Sequence, residues 1–478
     1  MAFAYLPKVG TLLIWSIVRE KLFQLFRRLQ ANPAYYWIVA FVLINLVLHQ
    51  GSGANPDSRL GAMSAFSETH SFAFDRTEWS MDVSVTPDGK VYSNKAPGPT
   101  LLGLPLFYLI DFPLVKWRAT EAERFQKRFT SKDAYYIPLT LFLQIVPYAL
   151  AVALVIETLA GLGLSMAALH FAALAMLFGN TVAVFVNTYF GHAVAAYFLL
   201  AMTLALLARN YFWSAFFFGW ALLSDYGAVC VLPSLIFLWI WQAKDEAASI
   251  PKKLGLVLTG ALVPGLLWIW YHTVCFGGPF EIALKYQASS MHNFSDLKDN
   301  VWGIMSLFPK TNLVWELLLG SKRGVLWTQP WVLLVLLLTP FFFIKKREFL
   351  TLALLSVPSF LILLMMNATF GGWWGGGSSG PRYLSILMPV IAIFGALVFE
   401  RSSKSLKNLL WLALGFSLCL TWLIHSTTTQ AEPQALWRWL WARFLNPQYF
   451  WLSLVRGFFF VIVLGWAALK TRKKLRLT

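Results

Sequence analysis

The chain has 478 residues, 58% of them hydrophobic and only 13% charged, and carries a formal net charge of +17. A water-soluble protein of this length cannot hide that much apolar surface, so an ordinary soluble domain is excluded. The basic residues sit in short clusters between apolar runs, as in cytoplasmic loops, so the positive charge does not point to nucleic acid.

In chain order, residues 1–34 form a basic N-terminus with Lys8, Arg19, Lys21, Arg27 and Arg28 and no cleavage site after a short apolar core. It reads as a cytoplasmic or interfacial amphipathic helix. Residues 35–49 make the first expected span. A polar loop at 50–133 follows on the extracytoplasmic side, interrupted by the apolar segment 101–114. That segment is short and contains Pro105 and Pro113, so it reads as a helix lying on the membrane. Within the loop, Asp88-Gly89 between valine-rich flanks predicts a small hairpin.

Further spans are expected at 135–158, 165–186, 191–208, 211–226, 227–243, 254–275, 327–344, 349–367, 384–400, 408–425 and 449–469, each near the ~20 residues a bilayer demands. Spans two to seven thus occupy 134–275, a second outer loop 276–326, and spans eight to twelve 327–469, with a Gly/Trp-rich outer loop at 368–383. A basic tail at 470–478 ends the chain. Lys244, Lys252 and Lys253, then Lys345, Lys346 and Arg347, then Arg401, Lys404 and Lys407 all fall on the cytoplasmic side of this scheme. The expectation is an all-α polytopic protein of the cytoplasmic membrane, with about twelve transmembrane helices. Both termini would be cytoplasmic, and the large first outer loop would carry surface helices and a hairpin. Cys230, Cys275 and Cys419 show no CxxC spacing, so neither a disulfide framework nor a thiolate metal site is indicated.

Chemistry must then come from the outer loops and helix ends. Asp57, just past the first span with Arg59 two residues on, has two readings: a general base at headgroup depth or a helix N-cap. Tyr92 and Lys95 lie where the hairpin meets the following helix. Lys95 either forms an anion site with that helix start or snorkels to the headgroups. His192 faces a leaving phosphate or is an ordinary interfacial histidine. Asp225 marks a turn between two spans, where a carboxylate at membrane depth is costly and usually functional or paired. In Gly371-Gly-Trp373-Trp374-Gly-Gly-Gly-Ser-Ser-Gly-Pro-Arg382-Tyr383, the tryptophans offer flat faces to sugars and Arg382 a fork for phosphate; the alternative is an interfacial Trp belt with a flexible turn. Lys322-Arg323 is a further positive pair on the outer side.

The order of Asp57-x-Arg59, Tyr92-Ser-Asn-Lys95-Ala-Pro97 and the more diffuse Phe190-Gly-His192-Ala, Ser-Asp225-Tyr, Cys275-Phe-Gly-Gly-Pro-Phe and Gly-Pro-Arg382-Tyr383 resembles the GT-C superfamily of membrane glycosyltransferases. That superfamily includes protein O-mannosyltransferases and lipid A aminoarabinose transferases. The resemblance implies a polyprenyl-phosphate sugar donor, a lipid, glycan or protein acceptor on the outer face, and inversion at the anomeric carbon. It would make Asp57 the base and Lys95 a phosphate contact. Where many relatives carry a second acid, this chain has Asn187-Thr-Tyr-Phe-Gly-His192, which bears on any metal bridged by two acids; no divalent metal is indicated. The competing readings are a multi-pass transporter or lipid flippase, and a lipid-linked glycan ligase.

Overall fold

A computed structural model describes residues 24, 27–51, 53–74, 82–244, 250–287, 300–301, 304–342, 347–428 and 435–475. The basic segment 1–23 and parts of the loops expected at 50–133, 276–326 and 426–448 lie outside the described residues. Among the described residues the molecule is all-α apart from two minimal hairpins.

The first part runs α1 (Tyr35–Val47), α2 (Ala54–Thr69), β1 (Val83–Val85), β2 (Val91–Ser93), α3 (Gly98–Val115) and α4 (Glu121–Thr130). A long helix α5 (Lys132–Gly161) follows, with α6 (Met166–Leu177), α7 (Gly191–Leu207), α8 (Tyr211–Ser224), α9 (Leu232–Ala243) and α10 (Ile250–Phe276). The second part has β3 (Asn300–Val301), β4 (Met305–Ser306), α11 (Thr311–Leu319), α12 (Pro330–Leu338), α13 (Arg347–Thr369), α14 (Met388–Arg401), α15 (Lys404–Ser426), α16 (Leu436–Phe444) and α17 (Phe450–Leu475).

Among the described residues, eight helices are long and apolar enough to cross a membrane: α3, α5, α9 with its preceding 3₁₀ turn, α10, α13, α14 with its preceding 3₁₀ turn, α15 and α17. The chain is therefore membrane-embedded in character. The spans expected at 35–49, 165–186, 191–208 and 211–226 are shorter apolar helices of 13, 12, 17 and 14 residues. The span expected at 327–344 contains the nine-residue α12, followed by a 3₁₀ turn. The segment expected to lie flat at 101–114 is the 18-residue α3, one of the eight. It lengthens because Pro99 is tolerated in the first helical turn, where its missing N–H costs nothing.

Apolar helices surrounded by lipid need no polar face, and burial rather than periodicity separates centre from edge. The span ending in α14 is 89% buried and forms the centre, whereas α10 is 17% buried. Leu254, Leu258, Leu262 and Leu266 form an exposed stripe along α10 at helical spacing, a surface for acyl chains.

The segment between α1 and α5 folds against this bundle. The capping box of Thr120 and Glu123 starts α4. Arg128 of α4 meets Asp111 of α3 through two hydrogen bonds of 2.7 and 2.6 Å, and Glu68 of α2 at 2.6 Å. Tyr135 donates to Asp111 at 2.8 Å, so one buried ionic cluster locks α2, α3, α4 and α5 together. Beneath it lies a second apolar core that includes Met63, Phe72, Tyr92, Phe107 and Phe276.

Candidate functional site

The expected hairpin forms. Val83 pairs with Ser93 and Val85 with Val91, and Gly89 takes the left-handed φ of +81° that the turn requires. One further step of that register puts Asp82 opposite Asn94, beside Lys95. Lys95 Nζ lies 3.1 Å from Asp82 Oδ2, and the lysine side chain is 13% exposed. Burial pushes the Lys95 ammonium down to about 8; Asp82 opposes this, and Arg382 and Arg59 add to it. Burial alone would raise Asp82, but the charges of Lys95 and Arg382 hold it below the usual carboxylate value.

Arg59 reaches the same place from α2. Its Nη1 donates to the Ala96 carbonyl at 2.7 Å and its Nε to Asn55 Oδ1 at 3.3 Å, the partner four residues back on the same helical face. It is 2% exposed and, among the described residues, has no carboxylate partner; burial brings it down to about 10.

The start of α7 and the end of α8 close the cleft from another side. A Cβ on Gly191 would lie 2.3 Å from the Ser224 carbonyl oxygen and 2.8 Å from Arg59 Nη2, so this approach admits only glycine. Tyr189, two residues earlier, is held at φ +53°, a strained conformation for a bulky residue, and its hydroxyl donates to the Pro99 carbonyl at 2.6 Å. Asp225 sits in the break between α8 and the 3₁₀ turn that begins at Tyr226. Its Oδ1 accepts the Gly227 N–H at 2.9 Å and its Oδ2 pairs with His192 Nδ1.

The Gly/Trp string supplies the last wall. Gly375, Gly376 and Gly380 take positive φ, so the string folds as a turn that glycine makes possible. Arg323 Nη2 holds this turn through the Gly376 carbonyl at 2.8 Å. The turn delivers Arg382, whose Nη2 donates to Tyr383 Oη at 3.1 Å and whose guanidinium lies 5.0 Å from the Tyr383 ring and 5.7 Å from that of Phe190. Arg382 Nε is buried without a partner.

Together these elements enclose a cleft of about 210 Å³. Arg59, Lys95, His192, Asp225, Arg382 and Tyr383 all line it, residues drawn from five separate stretches of chain. Asn55, Asn94, Tyr226, Asn367 and Phe370 line it as well, without having stood out in the sequence. Hairpin arithmetic could have found Asp82 and Asn94; nothing local marks Asn367.

Four expected site residues are not in the lining. Asp57 is neither N-cap nor cleft residue: Gly53 caps α2, and Asp57 lies in its first turn, bonded to Lys132 Nζ at 2.7 Å and to the Tyr136 hydroxyl. The reason is geometric. Two helical residues apart is roughly 200° of rotation, so a helix that turns Asn55 and Arg59 inward turns Asp57 away. Tyr92 is 4% exposed and packs on Phe276 in the second core. Trp373 packs against the main apolar core, and Trp374 meets it edge-on at 6.2 Å.

A second, apolar groove of about 600 Å³ adjoins the cleft, lined by Met305, Leu307, Pro309, Leu361, Ile362, Met365 and Met366 among others. Met305 and Met366 belong to both walls. Among the described residues no three His, Cys, Asp or Glu side chains come together in a way that could hold a metal ion. No protein-family model matches the chain, and no curated protein matches it in sequence.

Proposed function

We propose that this protein is a GT-C-type glycosyltransferase that moves a sugar from a polyprenyl-phosphate donor to an acceptor at the outer surface of the cytoplasmic membrane. The observation that carries the reading is the shared wall: a cleft with three cations, Arg59, Lys95 and Arg382, against one lining carboxylate, Asp225, opens beside an apolar groove. A molecule with an anionic head and a long hydrocarbon tail matches both halves at once.

Placement is supported by charge. The cleft lies at the ends of α8 and α13 and the starts of α7 and α14. Lys244, Arg347 and Arg401 sit at the opposite ends of the helices α9, α13 and α14. By the positive-inside rule those ends are cytoplasmic and the cleft faces out. About twelve crossings follow if α1, α6, α7, α8 and α12 cross together with the seven long helices other than α3, which packs with α2 and α4 on the cleft side.

Phosphate leaves readily once its developing charge is met, so the site needs cations for the leaving group and a base for the acceptor. Arg59, Lys95 and Arg382 meet the phosphate oxygens. Asp225 holds His192 Nδ1, leaving Nε2 to take the acceptor proton. The acceptor oxygen bonds to the anomeric carbon as the carbon–oxygen bond to phosphate breaks, its electron pair leaves on the polyprenyl phosphate, and configuration inverts. Asp57, held by Lys132 and Tyr136, supports α2 instead of acting as base.

The test is reconstituted protein incubated with a panel of radiolabelled polyprenyl-phosphate sugars, following label lost from the carrier. Label that only changes leaflet would make the protein a flippase; label that stays on its carrier and in its leaflet for every donor would remove the transferase reading.

A further inference from the structure

Asn367 is 2% exposed, lies two residues from the end of α13, and lines the cleft. Both polar atoms of its side chain, Nδ2 and Oδ1, are buried without a hydrogen-bond partner. Turning the amide through half a turn would leave both ends equally unmet. Buried amides are almost always satisfied, and one that is open at both ends inside a binding cleft is an unfilled half of an interaction. Its neighbours Met366 and Phe370 are apolar and offer it nothing.

The chemistry of the missing partner is constrained. An ionised phosphate has acceptors only, so it would satisfy Nδ2 and leave Oδ1 stranded. A carboxylate has the same defect, and an ammonium the opposite one. A hydroxyl, or an acylamido group, both donates and accepts, and meets the amide completely. The phosphate also has better partners in the Arg59, Lys95 and Arg382 wall.

We propose that Asn367 reads a hydroxyl or acylamido substituent of the donor sugar and so helps determine which sugar is accepted. This rests on the transferase reading and deepens it. A site built to bond a polar substituent discriminates strongly against its absence, because the buried amide is then left unpaired. Asn367 touches the substituent and not the reacting bond, so it is a specificity residue.

The experiment compares wild type, N367L and N367A in nanodiscs, with binding measured to bare polyprenyl phosphate and to polyprenyl-phosphate mannose, glucose and arabinose. Leucine keeps asparagine's branched shape without its polar atoms but is bulkier, whereas alanine is smaller, so an unchanged melting temperature in either variant certifies the fold. N367L should weaken the sugar-bearing probe that wild type prefers by about tenfold, leave bare polyprenyl phosphate within about twofold, and flatten the ranking among the sugars. Equal weakening of bare and glycosylated carriers, or no weakening of either, would overturn the assignment of Asn367 while leaving the transferase reading in place. If wild type itself binds none of the probes, the transferase reading falls and takes this inference with it.

Discussion

Asp225 holds His192 across the cleft with one carboxylate oxygen while its other oxygen takes the Gly227 amide, so the carboxylate is fixed at both ends. A carboxylate anchored to backbone fixes the imidazole's orientation and favours the tautomer with the proton on Nδ1. In the proposed reaction the other ring nitrogen is the base, in a wall that also carries Arg382 and Tyr383.

Asp225→Asn is expected to lower transfer by about 10²–10⁴-fold, because the amide can present its N–H to Nδ1 and select the wrong tautomer. His192→Gln should lose a similar amount, and the double variant little more than either single one, since the pair acts as a unit. Rates from reconstituted protein of unchanged melting temperature check this, and additive losses would argue against the pairing.

Asp57→Asn is expected to leave kcat/KM within roughly tenfold of wild type, since it removes no cleft contact. It should lower stability by about 1–2 kcal/mol, because Lys132 loses a partly buried partner. A thousandfold loss of transfer without loss of stability would return the base role to Asp57.

Lys95 gives a pH dependence of defined sign. With its ammonium brought down to about 8, the anion site loses a charge as pH rises through that value. Binding of polyprenyl phosphate should therefore weaken between about pH 7 and 9.5 in wild type, weaken less in K95R, whose guanidinium stays charged, and be poor throughout in K95M. For the unliganded protein the stability effect runs the other way. The unfolded lysine titrates near 10.5 and binds more protons than the folded one between about 8 and 10.5, so this group's contribution to stability rises with pH across that window. Ligand affinity and melting temperature measured over the same pH series separate the two effects.

Arg128→Met tests the frame around the site. It takes the guanidinium away from the buried carboxylate of Asp111, while Glu68 keeps Arg124, and the expected cost is about 3–5 kcal/mol. Denaturant titration in detergent measures it. A variant as stable as wild type would show that the ionic cluster does not hold α2, α3 and α4 in place.

Asp88-Gly89 specified the hairpin, because a turn needing left-handed φ between β-branched strands has few alternatives. Lys95, His192, Asp225 and Arg382 could be singled out because charge beside an apolar run is costly enough to need a reason. The tryptophans misled for a related cause. Trp373 is valued by packing as much as by sugar recognition, and sequence does not distinguish the two uses.

Composition and the length of apolar runs by themselves determined that this chain is helical and membrane-embedded, because lipid offers the backbone no hydrogen bonds and helices satisfy their own. Which side chains share one cleft was decided only in three dimensions. A helix turns about 100° per residue, so whether Asp57 or Arg59 points inward depends on how α2 docks. The unmet amide of Asn367 exists only because Arg59, Asp225 and Arg382, far apart in the chain, enclose a space around it.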